Sequence, residues 1–355
     1  MTLPPVSQTD YISRETRPGY DVPPLLSVRD LRVSYRTASG DVHAVDGVSF
    51  DVRQAEMVGL VGESGCGKTT AARALTGVMA GNARVTSGSI LFTGRDILNY
   101  GVEEMRAVRW REISFVPQSA MNSLDPVYRV EQQMREVLRR GGIRGRPAGE
   151  RTIELLDMVG LGTDVLRLFP HQLSGGMRQR VAIALALALD PLLVVADEPV
   201  TALDVIVQRE VLDTLRDLQK RLRLAVIMIT HDISVVAYCC DSIVVMYAGQ
   251  VVESGPSATV LGAPAHPYTM GLCNAFPDLE RAADLLVPIQ GSPPDLHDTP
   301  AGCRFAPRCP FAIDRCAQEI PPLMETDAGH KVACWRDTEA PILRARATEA
   351  ATWMR

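Results

Sequence analysis

Two stretches near the start of the chain alternate apolar and polar positions. Leu26-Ser27-Val28-Arg29-Asp30-Leu31-Arg32-Val33-Ser34-Tyr35 has the two-residue period of a strand, Thr37–Asp41 carries turn residues, and Val42–Val52 returns as a second strand. Other runs do not alternate. Glu56–Val61, Leu192–Ala196 and Leu224–Thr230 are almost continuously apolar, as parallel strands covered on both faces are. Shorter strands are expected at Gly88–Gly94 and Ile113–Gln118, and a hairpin at Ser242–Tyr247 and Gln250–Glu253 around Ala248-Gly249.

A third pattern is helical. Val207, Val211, Leu215, Leu218 and Leu222 form one stripe of Asp204–Leu222. Val130, Met134 and Val137 share a face, Leu155, Leu156, Met158 and Val159 belong to a later segment, and Gly141–Gly145 separates the two. Together these patterns predict an α/β domain over 25–264, with a helical subdomain over 119–170. Residues 1–24, rich in Pro, Ser, Thr and Asp, are expected to form a flexible arm. After Pro264 the apolar runs shorten and proline and cysteine become frequent, which predicts a small second domain over 265–336 and a tail over 337–355.

Composition narrows the class. The 355 residues allow one large and one small domain, and 46% hydrophobic with 22% charged residues is normal for a chain with a real core. A net charge of −5 points to no nucleic-acid partner. No apolar run approaches the ~18 residues of a membrane span, and Val181–Leu189 reads as a buried helix. The N-terminus lacks the basic-then-apolar layout of a signal peptide, so the chain is expected in the cytoplasm with its eight cysteines reduced.

Candidate chemistry centres on Leu60–Thr70, where Gly62-Glu63-Ser64-Gly65-Cys66-Gly67-Lys68-Thr69 fits G-x-x-x-x-G-K-[ST]. Glycines permit positive φ, so backbone N–H groups can converge on a phosphate. Lys68 supplies a cation to the outer phosphates, Thr69 a hydroxyl for Mg²⁺, and the helix running on through Thr70 a positive dipole end. Cys66 fills a variable position of the loop. Leu192–Ala196 ends in Asp197 and Glu198, suited respectively to hold Mg²⁺ through water and to polarise an attacking water. Leu173-Ser174-Gly175-Gly176-Met177-Arg178-Gln179-Arg180 opens another helix, with Ser174 as a natural N-cap and two glycines exposing N–H groups.

This string, and the order phosphate loop, Gln118, Ser174 motif, Asp197-Glu198, His231, resemble the ATP-binding cassette (ABC) ATPases. The resemblance implies a P-loop nucleotide-binding domain: a RecA-like core with an antiparallel β-subdomain and a helical subdomain. It also implies two cassettes head to tail, with Ser174, Gly175, Gly176 and Gln179 capping ATP held by the opposite subunit. Gln118 would touch Mg²⁺ and water, His231 the γ-phosphate, Asp204 the dimer partner, and Tyr35 the adenine ring. The 106 residues from Lys68 to Ser174 hold no heptad insertion, unlike cassettes interrupted by coiled coils.

His266-Pro267-Tyr268-Thr269, Gly291-Ser292-Pro293-Pro294 and Gly302–Pro310 resemble the extension of oligopeptide and dipeptide importer ATPases. That implies two membrane-spanning permease subunits, a second ATPase, an extracytoplasmic solute-binding protein acting indirectly, and a peripheral position on the cytoplasmic face of the membrane. Nickel or another small solute is the alternative cargo, and a soluble cassette ATPase that moves no solute is the other class.

Cys303, Cys309, Cys316 and Cys334 sit among Pro, Arg and Asp rather than in apolar runs, unlike Cys239, Cys240 and Cys273. Zinc lacks its usual close cysteine pairs here, whereas an iron–sulfur cluster tolerates such spacing, and Arg304, Arg308, Arg315, Lys331 and Arg336 are placed to offset its charge. The importer resemblance implies a [4Fe-4S] cluster, with Zn²⁺ as the alternative. Its expected role is a staple for residues ~265–336, whose loss leaves a distant phosphate loop able to bind ATP.

Overall fold

The computed structural model describes residues 23–118, 123–275, 288–327 and 329–354. The expected N-terminal arm before Pro23 and residues 119–122 of the expected helical subdomain lie outside the described residues. Described strands are β1 (Leu26–Thr37), β2 (Gly40–Val52), β3 (Met57–Val61), β4 (Ala83–Phe92), β5 (Arg95–Asp96) and β6 (Ile113–Val116). They continue with β7 (Leu193–Asp197), β8 (Ala225–Thr230), β9 (Ser242–Tyr247), β10 (Gln250–Pro256), β11 (Met324–Asp327) and β12 (His330–Val332). The helices used below are α1 (Lys68–Thr76), α2 (Val102–Val108), α3 (Val130–Arg140), α4 (Arg146–Met158), α5 (Gly175–Ala186), α6 (Val205–Leu222), α7 (Ile233–Cys239) and α8 (Pro267–Asn274).

The chain divides into two compact units. One takes in residues up to Leu26, Asp51–Met57 and Leu91–Ile229; the other takes Ser27–Phe50, Val58–Ile90 and the chain from Thr230 onward.

In the first unit β6, β7 and β8 are parallel, with Ile113 opposite Leu193 and Leu193 opposite Ala225. All of β7 and β8 is buried, which explains their unbroken apolar sequence. Helices α3 and α4 form where helical period was expected, each burying one face: Val130, Met134 and Leu138 on α3, Leu155 and Leu156 on α4. Buried Glu112 organises the entry to β6, because its carboxylate takes a 2.6 Å hydrogen bond from Arg95 and its carbonyl accepts from Leu192 and Leu193.

In the second unit β3 runs parallel to β9, β9 pairs antiparallel with β10, and β10 pairs with the β11–β12 hairpin through Glu253 opposite Val332. The C-terminal segment thus adds strands to the sheet that carries the phosphate loop. A further sheet in this unit has the order β2-β1-β4. β4 starts at Ala83 rather than Gly88; in its first half only Ala83 and Val85 are half-buried, an alternation too short to mark a strand. Among the described residues no helix is long and apolar enough to cross a membrane.

Candidate nucleotide and cysteine sites

β3 delivers the chain into a loop that only glycine can follow. Gly62, Gly65 and Gly67 have φ of 156°, 81° and 102°. Space is also exhausted, because a Cβ on Gly62 would lie 2.1 Å from the Met246 carbonyl oxygen and one on Gly67 2.2 Å from that of Ala44. The loop closes on itself through Lys68, whose ammonium is buried and donates to the Gly62 and Glu63 carbonyls at 2.6 and 2.9 Å. Gly67 is the N-cap of α1, so no side chain serves the first-turn N–H groups from the cap position, and Gly77 closes the other end. An N-terminus of this kind beside a lysine is an anion site.

Cys66 is buried beneath the loop as a filler, its carbonyl accepting from Gly249, and burial raises its thiol pKa against the opposing pull of Lys68. Ser64 and Gly65 are exposed, while Thr69 and Thr70 begin α1. The Tyr35 hydroxyl lies 3.0 Å from that of Thr70, leaving its ring half-buried at the edge of this helix. His231, the residue after β8, is exposed in this same unit.

The first unit holds the other predicted residues. Asp197 ends β7 in full burial. Glu198 follows at φ 47°, a left-handed conformation that costs a non-glycine residue about 1–2 kcal/mol and turns the chain out of the sheet. It is fixed there by its N–H donating to Ile229 at 2.8 Å and its carboxylate accepting from Gln118 at 2.9 Å and Thr201 at 3.0 Å. The structure therefore brings Gln118 and Glu198 together, from strand ends 80 residues apart. Thr201 was not among the predicted site residues; its only signal was its place three residues after the glutamate.

Ser174 caps α5 as expected, accepting from Met177 N–H at 3.2 Å. Gly176 is small for a packing reason too, since a Cβ there would sit 2.4 Å from Val207 of α6. Gln179 is buried, and its Nε2 has no hydrogen-bond partner among the described residues. Asp204 caps α6, accepting from Val207 N–H at 3.0 Å. Ser174 and Asp204 are both exposed.

The four C-terminal cysteines border one cavity of the second unit, walled also by Phe305 and Phe311. Burial raises the thiol pKa values of Cys303 and Cys309, and pushes that of Cys334 up to about 12. Among the described residues no group of three or more His, Cys, Asp or Glu side chains forms a ready cage for a metal ion. Nor do the arginines act only as counter-charges to sulfur. Arg304 binds Asp46 and the Ala248 carbonyl, Arg308 binds Glu63, Arg315 binds Glu319 and lies over the Trp335 ring, and Arg336 binds Glu339. Arg336 alone of these also meets a predicted ligand, its backbone N–H donating to Cys334 Sγ at 3.4 Å.

Comparison with known proteins settles the family. Residues 45–201 match the ABC transporter family model, and residues 252–316 match that of the oligopeptide/dipeptide transporter C-terminal region. An oligopeptide transport ATP-binding protein, OppD of Escherichia coli, is 44% identical over 318 residues, spanning 89% of this chain and 94% of the relative. The chain belongs to the oligopeptide/dipeptide branch of the ABC transporter ATP-binding proteins. A second member of that branch, the dipeptide transport ATP-binding protein DppD of Bacillus subtilis, is 41% identical over 88% of this chain and 94% of its own length. Among solved structures, the ABC fold is matched by the dimeric, post-hydrolysis MJ0796 cassette bound to ADP and Pi, with TM-score 0.59 and 26% identity over 65% of this chain and 98% of that one.

Proposed function

We propose that this chain is the ATP-hydrolysing subunit of a peptide importer, working with separate membrane-spanning permease subunits and a second ATPase, and supplied by an extracytoplasmic solute-binding protein. The carrying observation is its likeness to peptide-transport ATPases across 89% of its length, on a chain in which every ATPase motif is complete. Lys68 and the α1 N-terminus hold the phosphates, Tyr35 the adenine, and His231 the γ-phosphate. Thr69, Gln118 and Asp197 would hold Mg²⁺, which neutralises charge developing on the phosphates. Glu198, locked by Gln118 and Thr201, orients and polarises the attacking water. Ser174, Gly175, Gly176 and Gln179 present a capped helix N-terminus to nucleotide on the opposing subunit, and Asp204 faces that subunit. Purification from detergent-extracted membranes tests the assignment: two permease subunits should accompany the chain, and proteoliposomes of the complex should take up oligopeptides with ATP. Isolation without membrane proteins, or uptake of nickel but not peptide, would overturn it.

We further propose that in the C-terminal segment Cys303, Cys309, Cys316 and Cys334 hold a [4Fe-4S] cluster. Support comes from the one cavity that all four border, and from spacing that lacks the close cysteine pairs usual for zinc. When bound, such a group contributes folding free energy to a segment with a thin core. Anaerobically purified protein should contain about four irons and four sulfides per chain. Stoichiometric zinc would replace the cluster and keep the staple; free alkylation of all four native thiols would remove both.

A further inference from the structure

We propose that Arg308 is a positioning residue for the phosphate loop, carrying the folded state of the cysteine segment to Glu63 and through Glu63 to Lys68. This rests on the reading of Gly62–Thr70 as the nucleotide loop. It replaces the expectation that the cysteine segment and a distant loop behave independently.

Besides the loop's own Cys66 N–H, which donates to its carbonyl at 3.3 Å, three contacts hold Glu63, the first variable residue of the loop. Its carboxylate receives both terminal nitrogens of Arg308, at 2.7 and 3.0 Å, the bidentate geometry of the strongest charge-assisted pairs. Its N–H donates to the Tyr268 hydroxyl at 2.8 Å, and its carbonyl accepts from Lys68 at 2.9 Å. Two of these contacts therefore come from the C-terminal segment, and the third is the loop lysine itself. Arg308 is no surface cation, with only 7% of its side chain exposed. Its remaining donor capacity goes to the carbonyls of Gln290 and Ile289 and to the Tyr247 hydroxyl.

The link to the cysteines is short. Arg308 ends the tight turn Ala306–Arg308, where Ala306 N–H donates to the Cys303 carbonyl and Cys309 N–H to the Ala306 carbonyl. The turn is thus bracketed by two of the four cysteines. Tyr268 is fully buried and packs on Tyr247 and Phe305, with ring centroids 4.7 and 5.4 Å apart. Loosening this turn releases the Glu63 side chain. It also leaves an uncompensated carboxylate beside a loop built for phosphates, and both effects weaken nucleotide binding.

Equilibrium binding of trinitrophenyl-ATP to the full chain tests the idea, with metal, sulfide and thiol content measured on each variant. Arg308→Ala should weaken binding about tenfold, the loss of one buried charged hydrogen-bond pair. Adding Glu63→Gln to Arg308→Ala should recover part of that loss by removing the stranded charge, an outcome that mere unfolding of the segment does not give. Cys309→Ser should weaken binding similarly, and weaken it no further once Arg308 is absent. Wild-type affinity in Arg308→Ala, no recovery in the double variant, or full affinity in a Cys309→Ser chain that has lost its metal would each overturn the proposal. Absence of binding by the unsubstituted chain would overturn the nucleotide reading and this inference with it.

Discussion

At Gly62 and Gly67 the phosphate loop leaves no room for a Cβ, because carbonyl oxygens of Met246 and Ala44 already stand 2.1 and 2.2 Å from where it would be. Around Cys303–Cys334 the ordering contacts come instead from long side chains: Arg304 on Asp46, Arg308 on Glu63, Arg336 on Glu339, and three aromatic rings meeting tilted or edge-on at Tyr247, Tyr268 and Phe305. One region is specified by what is missing from its side chains and the other by what they reach. The loop's glycine positions should therefore be intolerant of added atoms, and the long side chains of the cysteine segment intolerant of trimming.

The largest effect is expected on the loop. Gly67→Ala adds a methyl where φ is 102° and the Ala44 carbonyl blocks it, so nucleotide affinity should fall more than about a hundredfold, by the summed cost of strain and overpacking. Isothermal calorimetry with Mg-ATP checks this, and near-native affinity would end the contrast between the regions.

Next comes an acid sensitivity confined to the segment side. Burial pushes the His266 pKa down to about 4 from 6.5, and neutral His266 accepts the Tyr268 N–H at 3.0 Å as the cap of α8. A depressed pKa stabilises above the unfolded value and is lost as pH falls through the folded one. Stability should thus drop by up to about 3 kcal/mol between pH 6.5 and 4. His266→Asn keeps a cap acceptor without the titration, so its denaturation midpoint should vary less over that range; an unchanged pH profile would exclude His266 as the source.

The smallest effect sharpens the loop side. Tyr35→Phe trims the hydroxyl that meets Thr70 and keeps the ring, and affinity should change less than about threefold. A tenfold loss would mean that the Tyr35 hydroxyl helps to specify the loop.

The same contrast explains what was legible in the sequence. The loop's glycines, lysine and threonine are consecutive, so their chemistry appears as a string, and Asp197-Glu198 stands out because a buried strand must end before two acids. Unbroken apolar runs likewise marked β7 and β8, and helical periodicity marked α3, α4 and α6. Helix α7 was hidden by its β-branched Ile-Ser-Val-Val start; Asp232 caps it and burial of Val235, Val236 and Cys239 holds it. Helix α2 was hidden because Gly101 offers no cap side chain; Glu104 reaches back to its N–H instead. The Arg308–Glu63 pair joins residues 245 positions apart, and no local period or propensity records a partner at that distance. The arginines of the segment were visible as charge, but not as pairs.

The central claim, that Glu198 drives hydrolysis in a peptide importer, is tested most directly by Glu198→Gln in the complex reconstituted with its permease subunits. ATP should bind as in the unsubstituted complex, since a glutamate whose role is to polarise water would not grip phosphate. Steady-state turnover should fall about a hundredfold or more, the usual worth of a general base, and ATP-dependent peptide uptake should cease with it. Turnover and uptake at the unsubstituted rates would contradict the claim.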